Sequence, residues 1–99
     1  MPTFNMTIYT PEGEAFNGAV ESLEAPGRQG RFGVLAYHAP MIVALRRGIL
    51  NARDGGRELY FVTGEGVLEI SGGNVTVLVD TASAAEDAVK ARTLLASGG

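Results

Sequence analysis

The sequence predicts a mainly β domain, an antiparallel sandwich or small barrel of about eight to ten short strands, closed by one short C-terminal helix. Three observations predict it. Apolar and polar residues alternate over short runs, as in Phe4, Met6 and Ile8 against Asn5, Thr7 and Tyr9. Turn signals built from Gly, Pro, Asn and Asp recur about every 6–12 residues. Helical spacing begins only after residue 82. With 99 residues, one compact unit is expected, divided into a β domain over 1–82 and a short helix over 83–99.

The first strand starts at Phe4 and ends at the turn Thr10-Pro11-Glu12-Gly13, where Pro suits the second turn position. A second extended segment runs from about Ala15 to Ala25. Its apolar set, Phe16, Val20, Leu23 and Ala25, changes parity between Val20 and Leu23, so a bulge or bend near Glu21 is expected. Residues 27–40 then gather three glycines, two arginines, the sole histidine and a proline. They read as a shaped surface loop holding a short apolar strand, Phe32 to Leu35. Met41 to Leu45 is a continuous apolar run, short enough for a buried strand. Leu50 and Ala52 share a face in the next strand, and Asp54-Gly55-Gly56 signals a hairpin. Leu59, Phe61 and Thr63 alternate with Tyr60 and Val62 on the return. After Gly64-Glu65-Gly66 come a short strand, Val67 to Ile70, the turn Ser71-Gly72-Gly73-Asn74, and Val75, Val77 and Val79 in alternation. Ser83-Ala84-Ala85-Glu86 reads as a capping box opening a helix, with Ala88, Ala91 and Leu95 on one face and Gly98-Gly99 at its end.

Composition excludes several functions. The net charge of −3 argues against nucleic-acid binding, which needs a basic field. The charges are nevertheless blocked: residues 28–57 carry six arginines against Asp54 alone, between two acidic blocks. Strands from different blocks can pair these charges, or the arginines can form a basic patch facing a partner. No Cys is present, so disulfides, thiolate metal sites and a Cys nucleophile are ruled out. No apolar run reaches the length of a membrane span, and no signal peptide is expected at the N-terminus.

Chemistry has little to work with. His38 is the single imidazole, so a His-rich metal site is impossible, and no Ser lies in a Gly-x-Ser-x-Gly elbow. Gly64-Glu65-Gly66 does not continue into a phosphate-binding pattern. Glu12 with Glu14, and Glu21 with Glu24, are expected to be solvated rather than paired for acid–base work. If Leu35, Tyr37 and Met41 face outward, they make a docking surface.

In order along the chain stand Thr10-Pro11-Glu12-Gly13, Phe16-x-Gly18, Val20-Glu21-Ser22-Leu23, Ala25-Pro26-Gly27, Gly30-x-x-Gly33-Val34-Leu35 and His38-Ala39-Pro40. Gly48-Ile49-Leu50, Val67-Leu68-Glu69-Ile70 and the run from Asn74 to Ala82 follow. This ordered set, spanning about residues 3–92, resembles the epsilon subunit of F-type ATP synthases, called delta in mitochondria. The resemblance implies a flattened β-sandwich of about ten strands and a non-catalytic place in the central stalk of a proton-translocating complex. It implies contact with the gamma subunit and with the polar loops of the c-ring. The alpha/beta catalytic head is reached through the complex, and membrane association arises only through it, on the cytoplasmic side of a bacterial inner membrane or at a thylakoid membrane. No cofactor and no metal are implied.

Residue by residue, the resemblance assigns Tyr37, His38, Ala39, Pro40 and Met41 to the gamma contact. It assigns Arg28, Gln29, Gly30 and Arg31 to the c-ring contact. Relatives often carry an acidic residue in the latter loop, where this chain has Arg28 and Arg31. Tyr37 replaces a Gly that usually precedes the histidine, so a different local backbone is expected there. The family usually adds a two-helix hairpin, and some members bind ATP there through an Ile/Leu-Asp-x-x-Arg-Ala motif. Ala88-Val89-Lys90-Ala91-Arg92-Thr93 keeps Arg92 alone, so neither an ATP site nor hairpin inhibition is expected. The alternatives are a free-standing β-sandwich that binds a small ligand and, with little support in the residues, a hydrolase using His38.

Overall fold

In the computed structural model, which describes residues 1–98, the alternating start of the chain forms β1 (Phe4–Thr10) and buries Phe4, Met6 and Ile8. The turn at Pro11 returns it as antiparallel β2 (Gly13–Val20). At Glu21 the chain bends and continues as β3 (Ser22–Gly27). Val20, Leu23 and Ala25 are all buried, so the parity change falls at this bend, where the Glu21 N–H donates to the Arg53 carbonyl at 2.7 Å. The bend moves the strand from one layer to the other, and that is what keeps both halves facing one core.

A two-residue turn leads from β3 into β4 (Gly30–Leu35). Next come β5 (Met41–Leu45) and β6 (Gly48–Asp54), two halves of one bent strand along the other edge of β3. β6 pairs with Ser22–Glu24, whereas β5 meets β3 only where Leu45 faces Gly27. Pro26 lies beside this bend. It has no N–H to offer the ladder, but its carbonyl accepts from the Arg46 N–H at 2.9 Å. A Cβ on Gly48 would lie 2.8 Å from the Pro26 Cβ, so the bend closes this tightly only around a glycine.

The same device recurs between β7 (Arg57–Thr63) and β8 (Gly66–Ser71), and between β9 (Asn74–Val79) and β10 (Ala82–Ala85). The Gly64 N–H donates to Thr81 O at 2.9 Å and the Asp80 N–H to Glu65 O at 3.1 Å, tying these two bends to each other. The result is a sandwich of ten strands among the described residues. One layer runs β4-β3-β6-β7-β10 and the other β5-β8-β9-β1-β2, with β1 and β9 the one parallel pair. Between them lie Met6, Ile8, Leu23, Leu45, Leu50, Leu68, Val75 and Val77. Phe16 on β2 and Phe61 on β7 meet edge to face at 5.3 Å and close the core between the layers.

Three expectations are corrected. Ser83-Ala84-Ala85-Glu86 does not cap a helix: Ser83, Ala84 and Ala85 lie in β10, paired with Val62, Phe61 and Tyr60 of β7. β7 had an open edge, and a row of backbone hydrogen bonds outweighs a local capping preference. The helix α1 (Ala88–Ala96) starts later, capped by Asp87, whose Oδ1 accepts from the Lys90 N–H at 2.8 Å. Glu86 instead pairs with Lys90 Nζ at 2.5 Å. Ala91 is buried against the sandwich as the spacing predicted, and Arg47 Nη1 donates to the Leu95 carbonyl at 2.9 Å at the end of the helix. Gly98 takes a positive φ of 77° after the helix, and the Gly99 half of the expected stop lies outside the described residues. Second, Met41 to Leu45 is a strand but not a buried one: Leu45 is fully covered, while Met41 and Ile42 are exposed. Third, only Val34 of the expected apolar strand is buried, and Leu35 points outward.

Candidate docking site

β4 is an edge strand, paired with β3 alone, and β5 is the edge of the other layer. Between them the sandwich is not zipped shut. A groove of about 590 Å³ lies there, walled by Arg28–Gly33 on one side and His38 and Met41–Ala44 on the other. It therefore brings together the segment expected at the c-ring and part of the segment expected at gamma. Tyr37, Ala39 and Pro40 do not line it. They belong to the connection between β4 and β5, and Tyr37 with His38 borders another, much smaller recess lined by Phe4, Ile70 and Val75.

The connection is held by few bonds. The His38 N–H donates to Leu35 O at 3.3 Å, and the ring Nδ1 lies 2.9 Å from the Ala39 carbonyl. A carbonyl only accepts, so Nδ1 carries the hydrogen in that contact. Tyr37 has φ of 68°, the only non-glycine residue in the left-handed region among the described residues. At this position, where Tyr stands in place of the Gly expected before the histidine, the chain adopts a turn that a glycine would favour. It holds a bulky residue there at a cost of about 1–2 kcal/mol. Its side chain is 91% exposed. Near it along the chain, Ile42 is 72%, Leu35 60% and Met41 49% exposed, so four large apolar side chains between residues 35 and 42 stand without cover.

The two arginines of the hairpin tip are not equivalent. Arg31 folds back over β6, giving Nη1 to Ile49 O at 2.7 Å and Nη2 to Asn51 Oδ1 at 2.8 Å, with Glu24 at 3.8 Å. It is a brace between β4 and β6. Arg28 reaches only Glu65, at 3.8 Å, and its side chain stays 61% exposed. That is a loose surface pair worth at most about 1 kcal/mol.

Two exposed elements escaped the sequence reading. Ile42 was hidden inside an unbroken apolar run, which has no period to reveal its direction. Tyr9, Leu78 and Val67 form a cross-strand row on the outer face of the second layer, Tyr9 beside Leu78 and Leu78 beside Val67. The signal for that row was legible: Leu78 sits at the polar parity between Val77 and Val79, as Tyr9 does after Ile8.

Among the described residues, no three His, Cys, Asp or Glu side chains gather to hold a metal, and the His38 ring contacts a backbone carbonyl rather than a carboxylate or hydroxyl. No helix is long and apolar enough to cross a membrane. A β-sandwich with an uncovered apolar end and a cationic hairpin tip is built as a docking domain. Comparison with known proteins specifies which kind. The family profile of the ATP synthase delta/epsilon chain β-sandwich domain matches residues 3–85, and the chain belongs to that family. It is 42% identical over 87 residues to an ATP synthase epsilon chain of Rhodopseudomonas palustris (strain BisB5), covering 88% of this chain and 64% of that protein. It is 39% identical over 92 residues to the one of Nitrobacter winogradskyi, covering 93% of this chain and 68% of that protein. The chain thus spans just under two thirds of the length of the Rhodopseudomonas relative. The fold is shared with a chain in the mitochondrial ATP synthase of Euglena gracilis, at TM-score 0.78 and 23% identity over 85% of this chain and 55% of that one. A chain in the central stalk and c-ring structure of the Tetrahymena thermophila enzyme matches at TM-score 0.69 and 15% identity, over 80% and 64%.

Proposed function

We propose that this chain serves as a non-catalytic central-stalk subunit of a proton-translocating F-type ATP synthase. It links gamma to the c-ring and so couples ion flow to ATP synthesis in the alpha/beta head. The membership of the chain and the names of its relatives support this reading over a free-standing ligand-binding module. The observation that carries it is the exposure of Tyr37 and Met41 within the segment, Tyr37 to Met41, that the family resemblance assigns to gamma, flanked by exposed Leu35 and Ile42 on either side. His38, Ala39 and Pro40 complete that contact. The ring contact falls to the hairpin tip, with Arg28 as its projecting cation and Gln29 and Gly30 presenting backbone, while Arg31 shapes the tip from behind. The subunit then sits peripherally on the cytoplasmic side of a bacterial inner membrane, or at a thylakoid membrane, held there by its partners.

Gel filtration with purified gamma tests the assignment. The pair is expected to co-elute at micromolar concentration, and the double change Tyr37→Ala, His38→Ala to weaken the complex by about tenfold or more, as loss of a central anchor does. Separate elution of the unmodified chain and gamma would remove the reading.

A further inference from the structure

The groove between β4 and β5 has the features of a site for an added strand. In the β3–β4 ladder, hydrogen-bonded and open pairs alternate. Pro26 gives its carbonyl to Arg46 on the far edge, so its opposite residue, Arg31, belongs to an open pair, as does Gly33 two residues on. The backbone N–H and C=O groups of Arg31 and Gly33 therefore point away from β3, toward the unpaired edge. Phe32 of β4 and, across the groove, Met41 and Val43 at the inward parity of β5 give it an apolar lining, with Ile42 at the opposite parity of the same strand. The charged or titratable side chains among the lining residues are Arg28, Arg31 and His38, with no carboxylate among them. Arg31 is already held by β6 and faces Glu24 at 3.8 Å, which leaves Arg28, paired loosely with Glu65 at 3.8 Å, as the cation able to turn toward an occupant.

We propose that this groove receives an extended segment of a partner polypeptide as a strand added to the β4 edge, with apolar side chains against Phe32 and Met41 and a carboxylate side chain paired to Arg28. Backbone pairing supplies affinity, and the cationic lining selects an acidic sequence over a basic one. The groove shares Arg28, His38 and Met41 with the contacts proposed above, but the inference rests on the edge, the lining and the charges and names neither of those partners.

The probe is a five-residue peptide alternating valine and glutamate, blocked at both ends and titrated into the ¹⁵N-labelled chain. Saturable shifts are expected at the amides of Arg31, Gly33 and residues 41–44. Replacing glutamate by lysine, or methylating alternate peptide nitrogens so that they no longer donate, should each weaken binding by about tenfold or more, as should Arg28→Glu in the protein. Arg28 is exposed and loosely paired, so that variant folds, and its unchanged melting curve serves as the control. Equal binding of the lysine or methylated peptide, shifts away from the groove, or the same shifts from free glutarate would each overturn the proposal, the last by showing a small-anion site only.

Discussion

Strands pass between the two layers along the bends at Arg46–Arg47, Gly64–Glu65 and Asp80–Thr81, and the layers face each other without strands between them along the β4–β5 seam. The bends are closed. Backbone groups meet at 2.9–3.1 Å and glycines allow chains to approach to contact distance. The seam is open, with an unpaired edge on β4 and four exposed apolar side chains near its end. Both are made from the same kind of short strand, so the difference lies in what each position forbids. At Gly48, Gly64 and Gly66, beside the bends, even a Cβ meets a neighbour closer than 3.0 Å. At the seam large apolar side chains stand in water, where folding gains little from them. Closure serves stability there, and in the docking role proposed above openness leaves a surface for a partner here.

This contrast is present within one strand. β5 has Leu45 at the closed end and Ile42 at the open one. Leu45→Ala should cost about 3 kcal/mol, since it empties a filled core site. Ile42→Ala should cost no more than about 0.5 kcal/mol, as surface changes do. Urea titrations of both variants measure this directly. Similar midpoints would mean that the open end is packed in solution. The next largest effect is at the bends. A Cβ on Gly66 would run into the Leu78 carbonyl and come within 2.8 Å of the Val79 Cα, both backbone and unable to rotate aside. Gly66→Ala should lose about 2–3 kcal/mol, lowering the melting temperature by roughly 10–20 °C. A drop of under about 3 °C would show that β8 and β9 separate more easily than their contact suggests.

The sandwich was largely legible because its strands are half-buried and their alternation reports direction. Phe4, Met6 and Ile8 point inward as read, and the parity shift between Val20 and Leu23 located the bend at Glu21 without any tertiary information. Legibility failed where a local pattern met a distant partner. Arg31 reads as a loop cation, yet it is committed to Ile49 and Asn51, 18 and 20 residues away. Ser83 to Glu86 has a good capping pattern, yet the open edge of β7 claims Ser83–Ala85 first. A pair of variants separates the two readings of that segment. Asp87→Ala should cost about 1 kcal/mol and reduce helicity, as loss of a helix cap does. Ser83→Ala should leave helicity unchanged, because its backbone, not its hydroxyl, holds β10. The reverse result in circular dichroism would restore the earlier start of the helix.

A change with little expected cost in stability is the most informative about the seam. Tyr37 occupies a left-handed turn that disfavours it by about 1–2 kcal/mol, and its exposed ring recovers little of that through packing in the free chain. Tyr37→Gly relieves the strain but frees the unfolded chain by roughly 0.5–1 kcal/mol. The two terms partly cancel, so the variant should be as stable as the parent or more stable by up to about 1.5 kcal/mol. On the proposed reading, binding to gamma should nevertheless fall by about tenfold, because the ring that leaves is the most exposed of the four apolar groups between residues 35 and 42. Denaturant midpoints and co-elution measured on the same preparation separate the two effects. Strain retained at no benefit to the isolated fold is intelligible if the ring acts on a partner. If Tyr37→Gly lost stability and kept gamma, the ring would belong to the fold and the docking end would lie elsewhere, with the outer row of Tyr9, Leu78 and Val67 the next surface to alter.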